Sequence, residues 1–163
     1  MATTAVAVLA IFGSVAAWSA ASRTTFAPEQ PIEFSHRVHV IDDKLDCQLC
    51  HAAARRSAFA GIAPVDRCVA CHTYVLTPNP EVMKLRRWWD ARKAIPWVKV
   101  YSLPQFIRFN HEAHLLAQVG CDVCHGDVGS MDRVRRVREL QMGWCVQCHR
   151  DRRAPVDCLT CHY

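Results

Sequence analysis

The sequence has no cysteine outside one repeated five-residue word, and it has no charged side chain before Arg23. Because all ten cysteines belong to copies of this word, no thiol remains for a separate catalytic site. Outside the words there is also no other combination of residues typical of an enzyme active site. Any cofactor chemistry in the chain therefore has to come from the repeated word and from the histidines around it.

The word is Cys-x-x-Cys-His, and it occurs five times. Two thiols at this spacing can each add across one vinyl group of a porphyrin, and the histidine that follows then lies under the iron. The pattern is typical of covalent c-type haem attachment and predicts five covalently bound haem c groups. The predicted thioether-forming residues are Cys47, Cys50, Cys68, Cys71, Cys121, Cys124, Cys145, Cys148, Cys158 and Cys161. The predicted proximal iron ligands are His51, His72, His125, His149 and His162.

Zinc and disulfide bonds are the two alternatives for so many cysteines. The gaps of 17 residues between Cys50 and Cys68 and of 20 residues between Cys124 and Cys145 fit a four-cysteine zinc ribbon. An oxidising compartment would permit disulfides. Neither alternative needs a histidine after the second cysteine. Histidine accounts for only 9 of 163 residues, yet it fills that position five times in five, which favours haem.

Five macrocycles would supply much of the core of a 163-residue chain, because each covers a large apolar area. We therefore expect a multihaem cytochrome c fold that is loop-rich, with few short α-helices and little or no sheet. The eight prolines also limit long helices. Helices are predicted at 81–93 and, from an apolar stripe, at 131–140. Trp88, Trp89 and Trp97 are expected to pack against haem edges or to contact a membrane interface or partner subunit.

The formal net charge of +5 does not indicate a nucleic-acid-binding protein. Ten haem propionates would add about −10 and five ferric porphyrin cores about +5, which brings the oxidised protein to roughly 0 and the reduced protein to about −5. The arginines of residues 133–138 are expected to neutralise propionates or to form a solvated face. No nucleic-acid partner is predicted.

Residues 1–22 are uncharged and rich in apolar side chains, and their length can cross a bilayer as one helix. A cleavable signal peptide ending near Ser19-Ala20-Ala21 is the alternative, but no Lys or Arg precedes the apolar run. We expect an uncleaved anchor over residues 1–23, in contact with lipid through residues 2–22. Since haem c is attached outside the cytoplasm in bacteria, the rest of the chain is expected on the periplasmic (outer) side of the cell membrane.

A nine-residue element is repeated 75 positions apart, at residues 32–40 and 107–115. Each copy contains Phe-x-His-x-x-His and precedes a haem word by a few residues. The repeat divides the chain after the anchor into three parts. A first haem repeat with two words covers residues 24–77, a connector covers 78–104, and a second haem repeat with three words covers 105–163.

The four histidines outside the words all lie in this element, at His36, His39, His111 and His114. A low-spin haem that only transfers electrons needs a ligand on each face of the iron, so these histidines are predicted distal ligands. One iron is left without a histidine, and a methionine thioether is the usual soft substitute. Met142, which lies shortly before the fourth word, is favoured as that ligand over Met131 and Met83.

The Phe-x-His-x-x-His element ahead of haem words resembles class III multihaem cytochromes c. In that family the first histidine of the element ligates the next haem, and the second histidine ligates the haem after it. The resemblance implies the pairs His36 with His51, His39 with His72, His111 with His125 and His114 with His149. It also implies that Met142 lies opposite His162.

A closer resemblance covers nearly the whole chain after residue 23. Residues 95–100, 109–114 and 142–145 resemble the membrane-anchored pentahaem subunit of bacterial alternative complex III. This resemblance implies an electron-transfer subunit that works beside integral membrane subunits and is not itself an enzyme. It would carry electrons from quinol oxidation, through an iron–sulfur partner subunit, to a monohaem cytochrome c or another acceptor in a respiratory or photosynthetic chain. Tyr101, in the connector, is expected to pack or to hydrogen-bond a propionate.

Three other functions are compatible with the pattern. The chain could be a stand-alone quinol dehydrogenase subunit that feeds a periplasmic reductase, although no quinone pocket is readable from the sequence. It could be an enzyme that reduces a small nitrogen or sulfur compound at an open haem iron, since the fifth iron lacks a histidine. The last alternative is a zinc-binding structural module.

Overall fold

The computed structural model describes residues 26–163, where short helices are joined by long loops. The α-helices, in chain order, are α1 Cys47–Cys50, α2 Val65–His72, α3 Pro80–Asp90, α4 His111–Leu116, α5 Cys121–His125, α6 Met142–Asp151 and α7 Cys158–Cys161. A π-helical segment at Arg37–Asp42 precedes them, and 3₁₀ turns lie at Ala52–Arg55 and Val128–Ser130. Within residues 26–163, the β-pairing is limited to one antiparallel bridge between Ile107 and His162. The predicted helix-poor fold without a sheet is confirmed.

The cysteine pairs of all five words lie on helices, and this local structure presents the two thiols of each pair together. Cysteines three residues apart on a helix lie on one face, as the attachment of both to one porphyrin requires. Aspartate caps two of the shortest helices. The carboxylate of Asp46 accepts a hydrogen bond from the Gln48 amide at 2.8 Å, and that of Asp157 accepts one from the Thr160 amide at 3.0 Å. Such caps compensate for the few internal hydrogen bonds of a four-residue helix.

The helix predicted at 81–93 is present as α3, shifted by a residue at its start and shorter at its end. Asn79 caps it, because the side-chain oxygen accepts hydrogen bonds from the amides of Glu81 and Val82 at 2.8 and 3.4 Å. Pro80 at the first helical position fits this start, since its missing N–H would have had no partner there. The helix ends before Arg92, whose φ of +53° breaks helical geometry.

The apolar core of the described residues is small, and α3 lies at its centre. One cluster of buried side chains consists of Ile32, Val69, Leu85 and Ile95. Trp88 and Trp97 pack against this cluster but remain partly exposed. No described side chain is completely buried. The chain instead surrounds a cavity of about 3700 Å³.

The prediction of a helix at 131–140 is wrong, because the backbone there forms hydrogen bonds with distant segments. Arg136 donates its amide hydrogen to the carbonyl of Phe26 at 2.8 Å, and Val137 donates its amide hydrogen to the hydroxyl of Tyr101 at 2.9 Å. The carbonyl of Met131 accepts a hydrogen bond from the Arg37 amide at 3.1 Å. These long-range partners replace the intrahelical bonds, so the apolar stripe marks a non-helical segment that is hydrogen-bonded to three other parts of the chain.

The predicted anchor at residues 1–23 lies outside the described residues. Within residues 26–163, none of the helices combines the length and the apolar character needed to cross a bilayer.

Replacing Leu85 with alanine should lower the free energy of unfolding of the holoprotein by about 2 to 4 kcal/mol, because the substitution leaves a cavity in the main apolar cluster. Met83, on the same helix, is 50% exposed and provides a matched control. Met83→Ala should change the free energy by less than about 0.5 kcal/mol. Urea denaturation followed by circular dichroism measures both. Equal losses for the two variants would show that α3 does not pack as described.

Candidate haem-binding sites

The two copies of the repeated element build the same local arrangement. In the first copy, Phe34 stacks on His39 with ring centroids 4.3 Å apart and meets His36 edge-on at 4.9 Å. In the second copy, Phe109 stacks on His114 at 4.6 Å and meets His111 edge-on at 4.8 Å. The phenylalanine therefore fixes both imidazoles of its copy, which explains why it recurs with them.

Three histidines of these elements face histidines of the words across a gap. The ring centroids are 6.0 Å apart for His39 and His72, 6.4 Å for His111 and His125, and 6.0 Å for His114 and His149. Two imidazoles that bind one metal from opposite sides, with metal–nitrogen bonds of about 2.0 Å, have centroids roughly 6 Å apart. Each of the three gaps therefore has the width that one iron with two imidazole ligands requires.

The backbone orients most of the histidines for metal binding. Six imidazoles have Nδ1 within 2.6–3.2 Å of a backbone carbonyl oxygen. The contacts are His39 to Ser35 (2.8 Å), His51 to Gly61 (2.6 Å), His72 to Val75 (3.2 Å), His111 to Ala58 (2.7 Å), His114 to Asn110 (2.8 Å) and His149 to Pro155 (2.6 Å). A proton on Nδ1 donated to a carbonyl leaves the Nε2 lone pair free for a metal, as in most metal-bound histidines.

His36 and His51 form the remaining predicted pair, and burial keeps His36 neutral. Burial, reinforced by the neighbouring His51 and His39, lowers the pKa of His36 from its ordinary value to about 4. Its Nδ1 atom is buried and has no hydrogen-bond partner among the described residues. Burial, followed by the proximity of His111 and His51, also lowers the pKa of His125. A neutral imidazole is the form that ligates a metal.

Tyr101 supports His125 in a way that the sequence did not specify. Its ring meets the His125 ring edge-on with centroids 4.7 Å apart. Its hydroxyl accepts the hydrogen bond from Val137, which fixes the ring in place. Tyr101 therefore packs, as expected, and the residue that it contacts is His125. Only knowledge of the fold around residues 131–140 could have identified this partner.

The methionines differ in their position relative to the cavity. Met142, the first residue of α6, lines the cavity together with His162 and is 67% exposed. Met131 is 5% exposed and is packed near Arg37. Neither Met131 nor Met83 lines the cavity. Of the three candidates, Met142 is therefore the one that shares a space with His162. The ring of Phe106 stacks on His162 with centroids 5.9 Å apart.

The tryptophans and arginines near the cavity have mixed roles. Trp88, Trp89 and Trp97 all line it. Arg138 lies over the ring of Trp144 at 5.9 Å, while Arg136 is bound to the carbonyl of Val100 at 3.1 Å. These arginines therefore support the cavity wall through aromatic and backbone contacts.

The cysteines of the described residues form neither a disulfide nor a zinc site. All ten are free thiols. Within residues 26–163, no group of three or more metal-binding side chains is close enough together to hold a metal ion by itself. The cavity is several times larger than a pocket for one small ligand, which is usually about 300 to 1,000 Å³. Paired thiols, facing imidazoles and a large cavity together fit several porphyrins.

Comparison with known proteins supports the same chemistry. Residues 107–163 match the family described as cytochrome c7 and related cytochrome c. The chain is also 29% identical, over 161 residues, to a protein of Nitratidesulfovibrio vulgaris (Hildenborough) named "Menaquinone reductase, multiheme cytochrome c subunit". That match covers 82% of this chain and 77% of the relative. The chain is thus similar to multihaem cytochromes c, and covalently bound haem c follows from this likeness and the words.

The hydrogen bond from His51 to Gly61 allows a test of how the backbone tunes one site. Gly61 has a φ of +71°, which valine adopts only with strain, so Gly61→Val should move the carbonyl away from His51. Losing a hydrogen bond of about 1 kcal/mol makes the imidazole a weaker donor to ferric iron. One reduction potential should therefore rise by about 40 mV in a spectroelectrochemical titration.

Gly61→Asn is the matched control, since asparagine tolerates positive φ and a Cβ at this position meets only Ala53, at 3.7 Å. All potentials of this variant should equal those of the wild type. A shift of the same size in both variants would contradict the role given to the Gly61 carbonyl.

Proposed function

We propose that the chain is a membrane-anchored pentahaem c-type cytochrome that relays electrons from quinol oxidation to a periplasmic cytochrome or another acceptor. The observation that carries this proposal is the set of three imidazole pairs with centroids 6.0–6.4 Å apart around one cavity. When bound, the haems supply one-electron chemistry. The residues of the chain hold them and set their potentials through the axial ligands and the hydrogen bonds behind these ligands.

The proposed ligand set fills both faces of each iron. It consists of His36 with His51, His39 with His72, His111 with His125, His114 with His149, and Met142 with His162. Iron with two protein ligands has no free position for a substrate, so this set favours an electron carrier over an enzyme. The facing pairs described above support three of these assignments directly, and the proximity of His36 to His51 supports a fourth.

The proposed setting is a quinone-linked complex on the outer side of the cell membrane. The relative in N. vulgaris is named as a subunit of a menaquinone reductase, which supports a partnership with other subunits and with quinone. Together with the resemblance to alternative complex III, this suggests an integral membrane subunit and an iron–sulfur subunit as partners. The uncharged residues 1–22 would anchor the chain in the bilayer.

Reduction of menaquinone is the second candidate function, because the name of the relative describes that direction. In quinol oxidation the quinone lies beside the haems of lowest reduction potential. In menaquinone reduction it lies beside the haems of highest reduction potential. In membranes from the source organism, addition of a quinol should reduce the haems if the chain serves quinol oxidation. If reduced haems are instead reoxidised by added menaquinone, with no reduction by quinol, the second function is correct.

The number of haems is testable by mass. The intact mass of the purified holoprotein should exceed that of the polypeptide by five haem groups, and removal of the last word by Cys158→Ala with Cys161→Ala should lower this excess by one. Haem staining of a denaturing gel should remain positive in both proteins. A chain that contains zinc and gives no haem stain would exclude the proposal.

Met142 is testable as the fifth distal ligand. A His/Met iron has a higher potential than a bis-histidine iron, so Met142→His should lower the highest of the five potentials, by roughly 100 mV or more. Met83→His is the control, because Met83 lies away from the cavity, and it should leave the titration unchanged. Electron paramagnetic resonance of the oxidised wild type should show low-spin iron at every site. A stoichiometric high-spin signal would instead favour an open fifth iron.

A further inference from the structure

We infer that the five haem-binding words lie in a row in space in the order second, first, third, fourth, fifth, which differs from their order in the chain. This inference rests on the proposed function only in that each word is taken to hold a haem. It goes beyond that function because it assigns the neighbours of every site and identifies the second and fifth sites as the two ends.

The first joint connects the second and first words through the segment between His39 and Cys47. His39 faces His72 of the second word at 6.0 Å. Its carbonyl accepts the amide hydrogen of Leu45 at 2.9 Å, and the first word begins two residues later, at Cys47. The two sites therefore share this short segment.

The second joint connects the first and third words through the loop that follows the first word. Within this loop the carbonyl of Gly61 lies 2.6 Å from His51 Nδ1. Three residues earlier, the carbonyl of Ala58 lies 2.7 Å from His111 Nδ1 and accepts the His111 amide hydrogen at 3.2 Å. His111 in turn faces His125 of the third word. One short loop thus holds a histidine of each site.

The third joint repeats the first one in the second half of the chain. His111 and His114, three residues apart on α4, face His125 of the third word and His149 of the fourth word at 6.4 and 6.0 Å.

The fourth joint connects the fourth and fifth words through the loop between them. His149 Nδ1 lies 2.6 Å from the carbonyl of Pro155, which is three residues before Cys158. The fifth word is otherwise tied to the segment ahead of α4, because Arg108 donates its amide hydrogen to the carbonyl of Cys161 at 2.8 Å.

Removing single haems from the full-length holoprotein tests the order. Neighbouring ferric haems couple magnetically, so a haem whose neighbours are all removed gives a separate, uncoupled low-spin signal. In the inferred row, loss of the first word through Cys47→Ala with Cys50→Ala should isolate the haem of the second word. Electron paramagnetic resonance should then show an uncoupled signal of about one spin per protein.

The matched variant removes the second word through Cys68→Ala with Cys71→Ala. It removes an end of the row, so the four remaining haems should stay coupled and no isolated signal should appear. If the haems instead lay in the order of their words in the chain, loss of the second word would isolate the first haem. Loss of the first word would then isolate none. Either of those outcomes would overturn the inferred order. Intact mass identifies the haem content of each variant and so separates this test from that of the five haems themselves.

A distance measurement avoids any loss of haem, in case a variant fails to fold. With every native cysteine bound to haem, introduced cysteines would be the only sites for nitroxide labels. Two double variants are needed, one with cysteines in place of Tyr163 and Tyr74 and one with cysteines in place of Tyr163 and Asp43. Tyr74 and Tyr163 are 85% and 79% exposed and flank the second and fifth words, and Asp43 is exposed ahead of the first word. Pulsed resonance of the reduced protein should give a longer distance from 163 to 74 than from 163 to 43. The reverse would overturn the row.

Discussion

The fold depends on filling a cavity that the side chains of the chain cannot fill themselves. The buried apolar residues among the described ones are Ile32, Ala54, Val69, Val82, Leu85, Ile95 and Met131, and none of them is completely buried. A domain of this size usually buries most of the apolar surface that its unfolded chain exposes. Here the same surface lines a cavity of about 3700 Å³. Macrocycles held by thioether bonds would complete the core, which explains why helices of four or five residues suffice around them.

Several features of this arrangement follow from the sequence because they are local. The spacing within each word places both thiols on one side of a helix, and the recurrence of Phe-x-His-x-x-His reproduces the same stacking of phenylalanine on histidine at Phe34 and Phe109. The helix predicted at 81–93 is also present as α3, where Asn79 caps a start at Pro80. In each case the decisive contacts lie within a few residues, where periodicity and propensity are informative.

Other features could not be predicted, because they depend on contacts between distant segments. The apolar stripe at 131–140 is typical of a helix, yet the amides of Arg136 and Val137 bond to Phe26 and Tyr101 instead. The sequence also does not predict which backbone carbonyls lie within hydrogen-bonding distance of the histidines, because every residue type has a carbonyl. Gly61 is the exception, because its positive φ is a recognisable reason for glycine. The sequence also did not show that Met142 lies on the cavity wall whereas Met131 does not.

The inferred row has a consequence for how the two repeats meet. In the proposed ligand set, the first word of each repeat pairs with the first histidine of the element and the second word pairs with the second. The repeats join through their first words, because the loop after His51 holds His111. In the inferred order second, first, third, fourth, the first words of the two repeats therefore meet at the centre and the second words lie on either side of them. The fifth word, which has no counterpart in the first repeat and which the proposed ligand set pairs with Met142, extends one end of this pair. With that ligand set, the asymmetry of the chain in length and in ligand chemistry lies at one end of the row, where it would give the two ends different potentials.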